Sequence, residues 1–301
     1  MSDEDRAFLE KVMAEGIIDE NERMKFVLQE ATKAMEFYKS KALGGDNLSD
    51  PPISDDDLED LLQELRDIVE QIDYARAFCS LQGLPFLLGC VEERAVPQSI
   101  RTICTGIIST LCQNNPPVQK QLLELGVLKT LSDVFFADDT TLAMKAKLMQ
   151  GISSVVRNYE VAESVFTELP QALALFTAGL HPQNSNSQLK SRTLFFLRAF
   201  LTSDTSTSAR IDQFADIIGC VIDYYLDESV SPDLREIAVA FLQQVLEQGK
   251  GVKILAQRKD SLAALGVSRI SAMRALTGDE KEFAQEELAN WEACMILLAR
   301  V

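Results

Sequence analysis

Apolar positions between Asn114 and Asn158 fall into three short helical runs separated by polar or special residues. PPVQKQLLEL reads as a first helix, with Pro116 and Pro117 suited to a first turn whose backbone donors have no partner anyway. Gly126 follows as a left-handed stop. VLKTLSDVFF reads as a second helix, and ADDTT as a turn in which Asp139 or Thr140 would cap a third. That third run places Leu148, Met149, Ile152, Val155 and Val156 on one face at helical spacing.

The same grammar recurs upstream and downstream. Gly83 falls where Gly126 falls, and Leu111, Leu201 and Leu246 take the place of Val155. The period is roughly 43–46 residues, the range of armadillo and HEAT arrays. Units of this kind cannot bury an apolar face singly, so they stack and present one extended concave surface. The expected fold is therefore all-α, an armadillo/HEAT-like right-handed superhelical solenoid of about four three-helix repeats with helical caps; the alternative is a non-repetitive helical bundle. The expected division is a charged helical segment over 1–43, a Gly/Pro linker over 44–54, a capping helix over 55–73, four repeats over 74–250 and a C-terminal helical cap over 251–301. Ser2 with Asp5, and Ser54 with Asp57, have capping-box spacing. The charge density of 1–43 suggests weak docking on the repeats. The cap should hold helices around 258–276 and 279–300, the last with Phe283, Leu288, Trp291, Met295 and Leu298 on one side.

Composition narrows the function. A formal net charge of −17 opposes general nucleic-acid binding. No run of about 18 apolar residues exists to span a bilayer. The acidic start lacks the pattern of a secretory signal. Six cysteines without CxxC pairing suit a reducing, cytosolic or nuclear protein without disulfides, as small buried hydrophobes. The single histidine, His181, has no visible orienting partner, no thiolate cluster has zinc spacing, and EQGKGVKIL lacks the phosphate-loop spacing. No catalytic residue, metal ligand or cofactor is expected.

One charge pattern stands out. Arg101, Lys145, Ser191 and Glu236 share a register near the start of each third helix; Lys190 and Arg192 flank the serine, and Arg235 precedes the glutamate. Lys147, Arg157 and Arg198 add positive charge to these helices. Either this is a basic concave surface selecting an acidic partner, or it is a set of solvated ends pairing with acidic turns such as Asp138 and Asp139.

Several stretches resemble one family. MSDEDRAFLEKVM with ENERMKFVLQEATKAM, LLQELRDIVEQIDYARAFCSLQGLPFLLG, CQNNPPVQKQLLELGVLKTL and DEKEFAQEELANWEACMILL are similar to successive parts of the heat-shock-protein-binding-protein family. These are armadillo-type nucleotide exchange factors of cytosolic 70-kDa heat-shock chaperones. The resemblance implies a monomer whose concave face embraces the second lobe of the chaperone's ATPase domain, weakening ADP binding so that ATP enters and substrate leaves. It also implies that Arg101, Lys145, Lys147, Arg157, Lys190, Arg192, Arg198 and Arg235 are candidate contacts, with Ala75 at the small-residue end of the surface. Members often carry an upstream extension that assists substrate release; the match begins at Met1, so that accessory role is not among the expectations. The alternative function is a generic armadillo scaffold for an extended peptide or acidic partner. Trp291, outside the repeats, does not supply the tryptophan ladder of nuclear-import adaptors.

Overall fold

A computed structural model describes residues 19–44, 50–250 and 252–300, and every regular element among them is helical. The Ser2–Asp5 capping box lies outside the described residues. The chain forms two compact units, Met1–Thr130 and Leu131–Val301.

In the first unit, α1 (Glu20–Ala42) is capped by the Asp19 carboxylate, which accepts from the Asn21 and Glu22 amides. Acidic residues fill its first turn and Lys39 and Lys41 its last, complementing the helix dipole. It buries Met24, Val27, Ala31, Ala34 and Tyr38, a three-four alternation that draws a narrow apolar seam through a charged helix. That seam packs on α2 (Asp55–Ile68), α3 (Ile72–Ser80) and α4 (Gly83–Glu92). Arg23 adds two 2.6 Å bonds to Glu64 of α2. The expectation of weak docking is corrected for α1: a narrow buried stripe anchors a helix whatever covers its other faces. The Ser54 hydroxyl caps α2 by accepting from the Asp57 amide at 3.2 Å. α5 (Gln98–Leu111) packs on α2 and α4, and α6 (Pro116–Glu124) begins with its two prolines. The division between units falls within α7 (Val127–Phe135).

The second unit stacks four long helices in succession: α8 (Leu142–Val156), α11 (Ser187–Leu201), α14 (Pro232–Glu247) and α18 (Gln285–Leu298). Between them run α9 (Glu160–Glu168), α10 (Ala172–Gly179), α12 (Ser208–Gln213), α13 (Ala215–Tyr225), α15 (Val252–Gln257), α16 (Lys259–Arg274) and α17 (Asp279–Phe283). Phe166, Phe176, Phe196, Phe200 and Phe214 fill the core with ring centroids 5.0–6.2 Å apart. Such aromatic contacts add to simple area burial. α18 lies on α14 as α14 lies on α11, so the C-terminal cap takes the form of a further helical layer.

Local details differ from the sequence reading at four points. Thr141, not Asp139 or Thr140, caps α8, while the Thr140 hydroxyl is buried and donates to the Val134 carbonyl at 2.6 Å. The left-handed residue before α4 is Gln82 (φ 60°) rather than Gly83. Gly83 is needed for space instead, since a Cβ there would sit 2.3 Å from the Phe78 ring. The expected last helix is two, because the chain turns at Ala284. That turn breaks the phase of the apolar stripe, leaving Phe283 82% exposed while Trp291 and Leu298 are buried.

Candidate functional site

The third helices α5, α8, α11 and α14 share one feature that exact boundaries reveal. Arg101, Lys145, Lys190 and Arg235 are each the fourth residue of their helix, one turn in from the N-terminus. The residue before each is apolar and buried: Ile100, Met144, Leu189 and Leu234. The side chain then reaches back toward the connection from the preceding second helix. Arg101 Nε donates to the Val91 carbonyl in the last turn of α4 at 2.9 Å. Lys145 Nζ lies 5.4 Å from the ring centre of Phe135, the last residue of α7. Lys190 Nζ donates to the Pro182 carbonyl at 3.0 Å, beyond the end of α10. Arg235 Nη1 donates to the Glu228 and Val230 carbonyls, beyond the end of α13. Cations placed where helical carbonyls run out of partners are favourable. The basic register thus joins the second to the third helix inside each repeat.

Three of the expected contact residues are corrected on this ground. Arg101 is 2% exposed and bonded internally. Arg235 is 9% exposed, and its guanidinium pairs with Glu287 of α18 at 3.1 Å. Ala75 is buried in α3. None of the three is accessible to a partner in this structure.

The remaining cations are half-buried, and two gather around a residue the sequence reading missed. Phe195 of α11 is 46% exposed, although its neighbour Phe196 is fully buried. The Arg157 guanidinium, at the end of α8, stands 4.7 Å from the centre of the Phe195 ring. Arg192 precedes Phe195 by one helical turn, on the same face. Its Nη1 atom is buried without a hydrogen-bond partner. Burial lowers the pKa of both guanidinia from the ordinary arginine value. An approaching carboxylate would reach the unsatisfied Nη1 of Arg192, with Phe195 beside it as an apolar anchor. Arg198, further along α11, donates to Gln244 of α14 at 3.0 Å and helps join the two helices. Lys147 lies half-buried on α8. A signal for Phe195 was present, since a helix already burying Leu194, Phe196 and Leu197 has no inward room for a residue between them.

Among the described residues no group of histidine, cysteine, aspartate and glutamate could hold a metal ion. His181 is exposed and its Nδ1 accepts from the Gln183 amide at 3.3 Å. No helix among the described residues is long and apolar enough to cross a membrane.

This succession of three-helix units defines an armadillo-type repeat protein. Solved structures agree. The designed armadillo repeat protein YIII(Dq)4CqI superposes with a TM-score of 0.64 at 12% identity, covering 90% of this chain and 99% of that one. A second, YIII(Dq.V1)4CPAF in complex with the peptide (KR)4, gives 0.63 at 14% identity, covering 89% and 99%. Residues 74–216 match the SIL1/FES1/HPBP1 C-terminal domain. Hsp70-binding protein 1 of Mus musculus is 29% identical over 204 residues, 67% of this chain and 54% of that protein. Hsp70 nucleotide exchange factor fes1 of Schizosaccharomyces pombe is 29% identical over 192 residues, 62% of this chain and 65% of that protein. The match thus spans between about half and just under two thirds of these relatives.

Proposed function

We propose that this protein is a co-chaperone that binds the ATPase domain of a 70-kDa heat-shock chaperone and accelerates ADP release, thereby promoting substrate release. The match of residues 74–216 to the SIL1/FES1/HPBP1 C-terminal domain carries this reading. The half-buried cations Arg157 and Arg192 around exposed Phe195 support it, as a desolvated basic anchor for an acidic surface. On the same reading the protein performs no bond-making chemistry, uses no cofactor, acts as a cytoplasmic monomer, and binds neither nucleic acid nor membrane. Lys145, Lys147, Lys190 and Arg198 are secondary contacts at the margin of the surface. The generic scaffold is the second reading, but a basic peptide such as that held by the designed protein would be repelled at Arg157 and Arg192.

Release of a fluorescent ADP analogue from the chaperone, followed by stopped flow, tests the proposal. The wild-type chain should speed release, and Arg192→Glu with Phe195→Ala should abolish the effect without changing the melting temperature. Lys33→Glu, on the exposed face of α1, alters the net charge equally and should leave release unaffected. A hundredfold weakening of ADP corresponds to about 2.8 kcal/mol of coupling, so saturating ADP must weaken this protein's binding by the same factor. Equal affinities with and without ADP would refute the exchange mechanism, and equal loss in both variants would assign the effect to global charge.

A further inference from the structure

A cavity of ≈ 550 Å³ opens in the second unit between the start of α14, the end of α16, the one-turn helix α17 and the start of α18. Its floor is ionic. Glu287 lies between Arg235 and Arg269, at 3.1 and 2.9 Å, and all three side chains are buried. These charges are committed to one another.

The rim is different. Asp233, Glu236 and Glu280 line it, and among the described residues none of the three makes an ion pair with a cation. Taken together the lining sets Arg235 and Arg269 against Asp233, Glu236, Glu280 and Glu287, a negative balance concentrated at the mouth. Burial, and then the neighbouring Glu286, Asp233 and Glu287 carboxylates, hold Glu236 above the ordinary carboxyl value. That is the response of an anion crowded by its own kind and lacking a counter-charge.

The third lining component is apolar. Met273 and Leu276 line the cavity together with Phe283 of α17, whose side chain is largely exposed. A large aromatic side chain left in water beside a cavity is a surface that gains free energy when covered.

We propose that this cavity docks an extended segment of a protein partner through one basic side chain, lysine or arginine, with an adjacent apolar one. The cation enters the mouth between Asp233 and Glu236, and the apolar neighbour covers Phe283 and Leu276. An acidic segment is repelled at the rim, and the floor arginines are already held by Glu287. The site shares no residue with the Arg157–Arg192–Phe195 surface, so it stands or falls independently of the exchange activity.

The test uses the full chain and three acetylated, amidated pentapeptides, Ala-Leu-Arg-Leu-Ala and its counterparts with glutamine or glutamate at the centre. Trp291 is the only tryptophan and lies one turn beyond Glu287 on α18, so its indole resonance reports occupancy. The arginine peptide should bind about tenfold or more tighter than the glutamine peptide, the factor of one partly desolvated charge pair, and the glutamate peptide should show no saturable shift. Asp233→Asn with Glu236→Gln should erase the preference for arginine over glutamine. Phe283→Ala should weaken both peptides about three- to tenfold and leave that preference intact. These side chains are on the rim, so the melting temperature reports whether the fold is intact. Indistinguishable binding of the three peptides, no saturation by the arginine peptide at millimolar concentration, or undiminished binding by the rim variants would overturn the proposal.

Discussion

Arg235 and Lys190 occupy the same fourth position of successive third helices, yet the structure predicts opposite responses to losing the charge. Arg235→Met removes a guanidinium that is 9% exposed, pairs with Glu287, and bonds two loop carbonyls. Stranding one partner of a buried ion pair costs about 3–5 kcal/mol. Here Glu287 keeps Arg269 at 2.9 Å, and the Glu228 and Val230 carbonyls lie near solvent. The lower end applies, about 3 kcal/mol. At about 2–4 °C per kcal/mol for a unit of this size, the melting temperature should fall by about 6–12 °C. Lys190→Met removes one bond to the Pro182 carbonyl from a half-exposed side chain, worth about 1 kcal/mol or less, and should lower it by no more than about 4 °C. Thermal melts by circular dichroism, with urea titrations at 25 °C, read both. Replacing Arg235, Arg269 and Glu287 together by methionine should recover most of the loss, because no charge is then left buried. Equal shifts for the two single variants, or an Arg235→Met melt within about 1 °C of wild type, would refute the idea that this triad holds α14 to α18.

Other consequences follow from local geometry. Gly83→Ala should destabilise by about 1–3 kcal/mol through the clash with the buried Phe78 ring, whereas Gly89→Ala meets nothing within 4 Å and should stabilise α4 by about 0.5–1 kcal/mol in the same urea titration. Arg23 holds the Glu64 carboxyl below its ordinary value, chiefly by hydrogen bonding, so the pair's stabilisation is present above the unfolded carboxyl pKa and is lost as pH falls through the depressed one. Both side chains are about a third exposed, so Glu64→Gln should cost no more than about 1 kcal/mol at pH 7 and shrink toward zero in acid, measured by urea unfolding at both pH values. Burial pushes the Cys79 thiol up to about 11 and raises Cys112, while the 3.3 Å contact with Cys90, followed by burial, raises Cys104. Aromatic-disulfide titration at pH 8 should therefore be slow on the native protein and reach all six thiols only on unfolding.

The repeat was legible because its signals are local. Apolar spacing, the prolines opening α6 and the left-handed Gly126 and Gly249 punctuate the chain without reference to anything distant. Leu148, Met149, Ile152, Val155 and Val156 are all buried, as their spacing implies. Where two signals competed, the more abundant one misled. The charges of α1 concealed the seam from Met24 to Tyr38, although that seam decides where the helix binds. The stripe through Phe283 failed for a related reason, since a one-residue turn at Ala284 rotates everything before it out of phase.

The candidate surface divides differently. The sequence by itself determined that the third helices carry a periodic set of cations, because position in a repeat is a local property. It could not say which way each cation turns. Arg235 is held inside by Glu287, 52 residues away in the chain, and Arg101 by a carbonyl on the preceding helix. Phe195 and Phe196 are chemically identical neighbours, and only the placement of α8, α9 and α10 against α11 puts one ring in the core and the other beside Arg157. Tertiary structure made these choices because burying a charge or an aromatic ring depends on which groups from distant segments arrive around it, and helical periodicity contains no record of them.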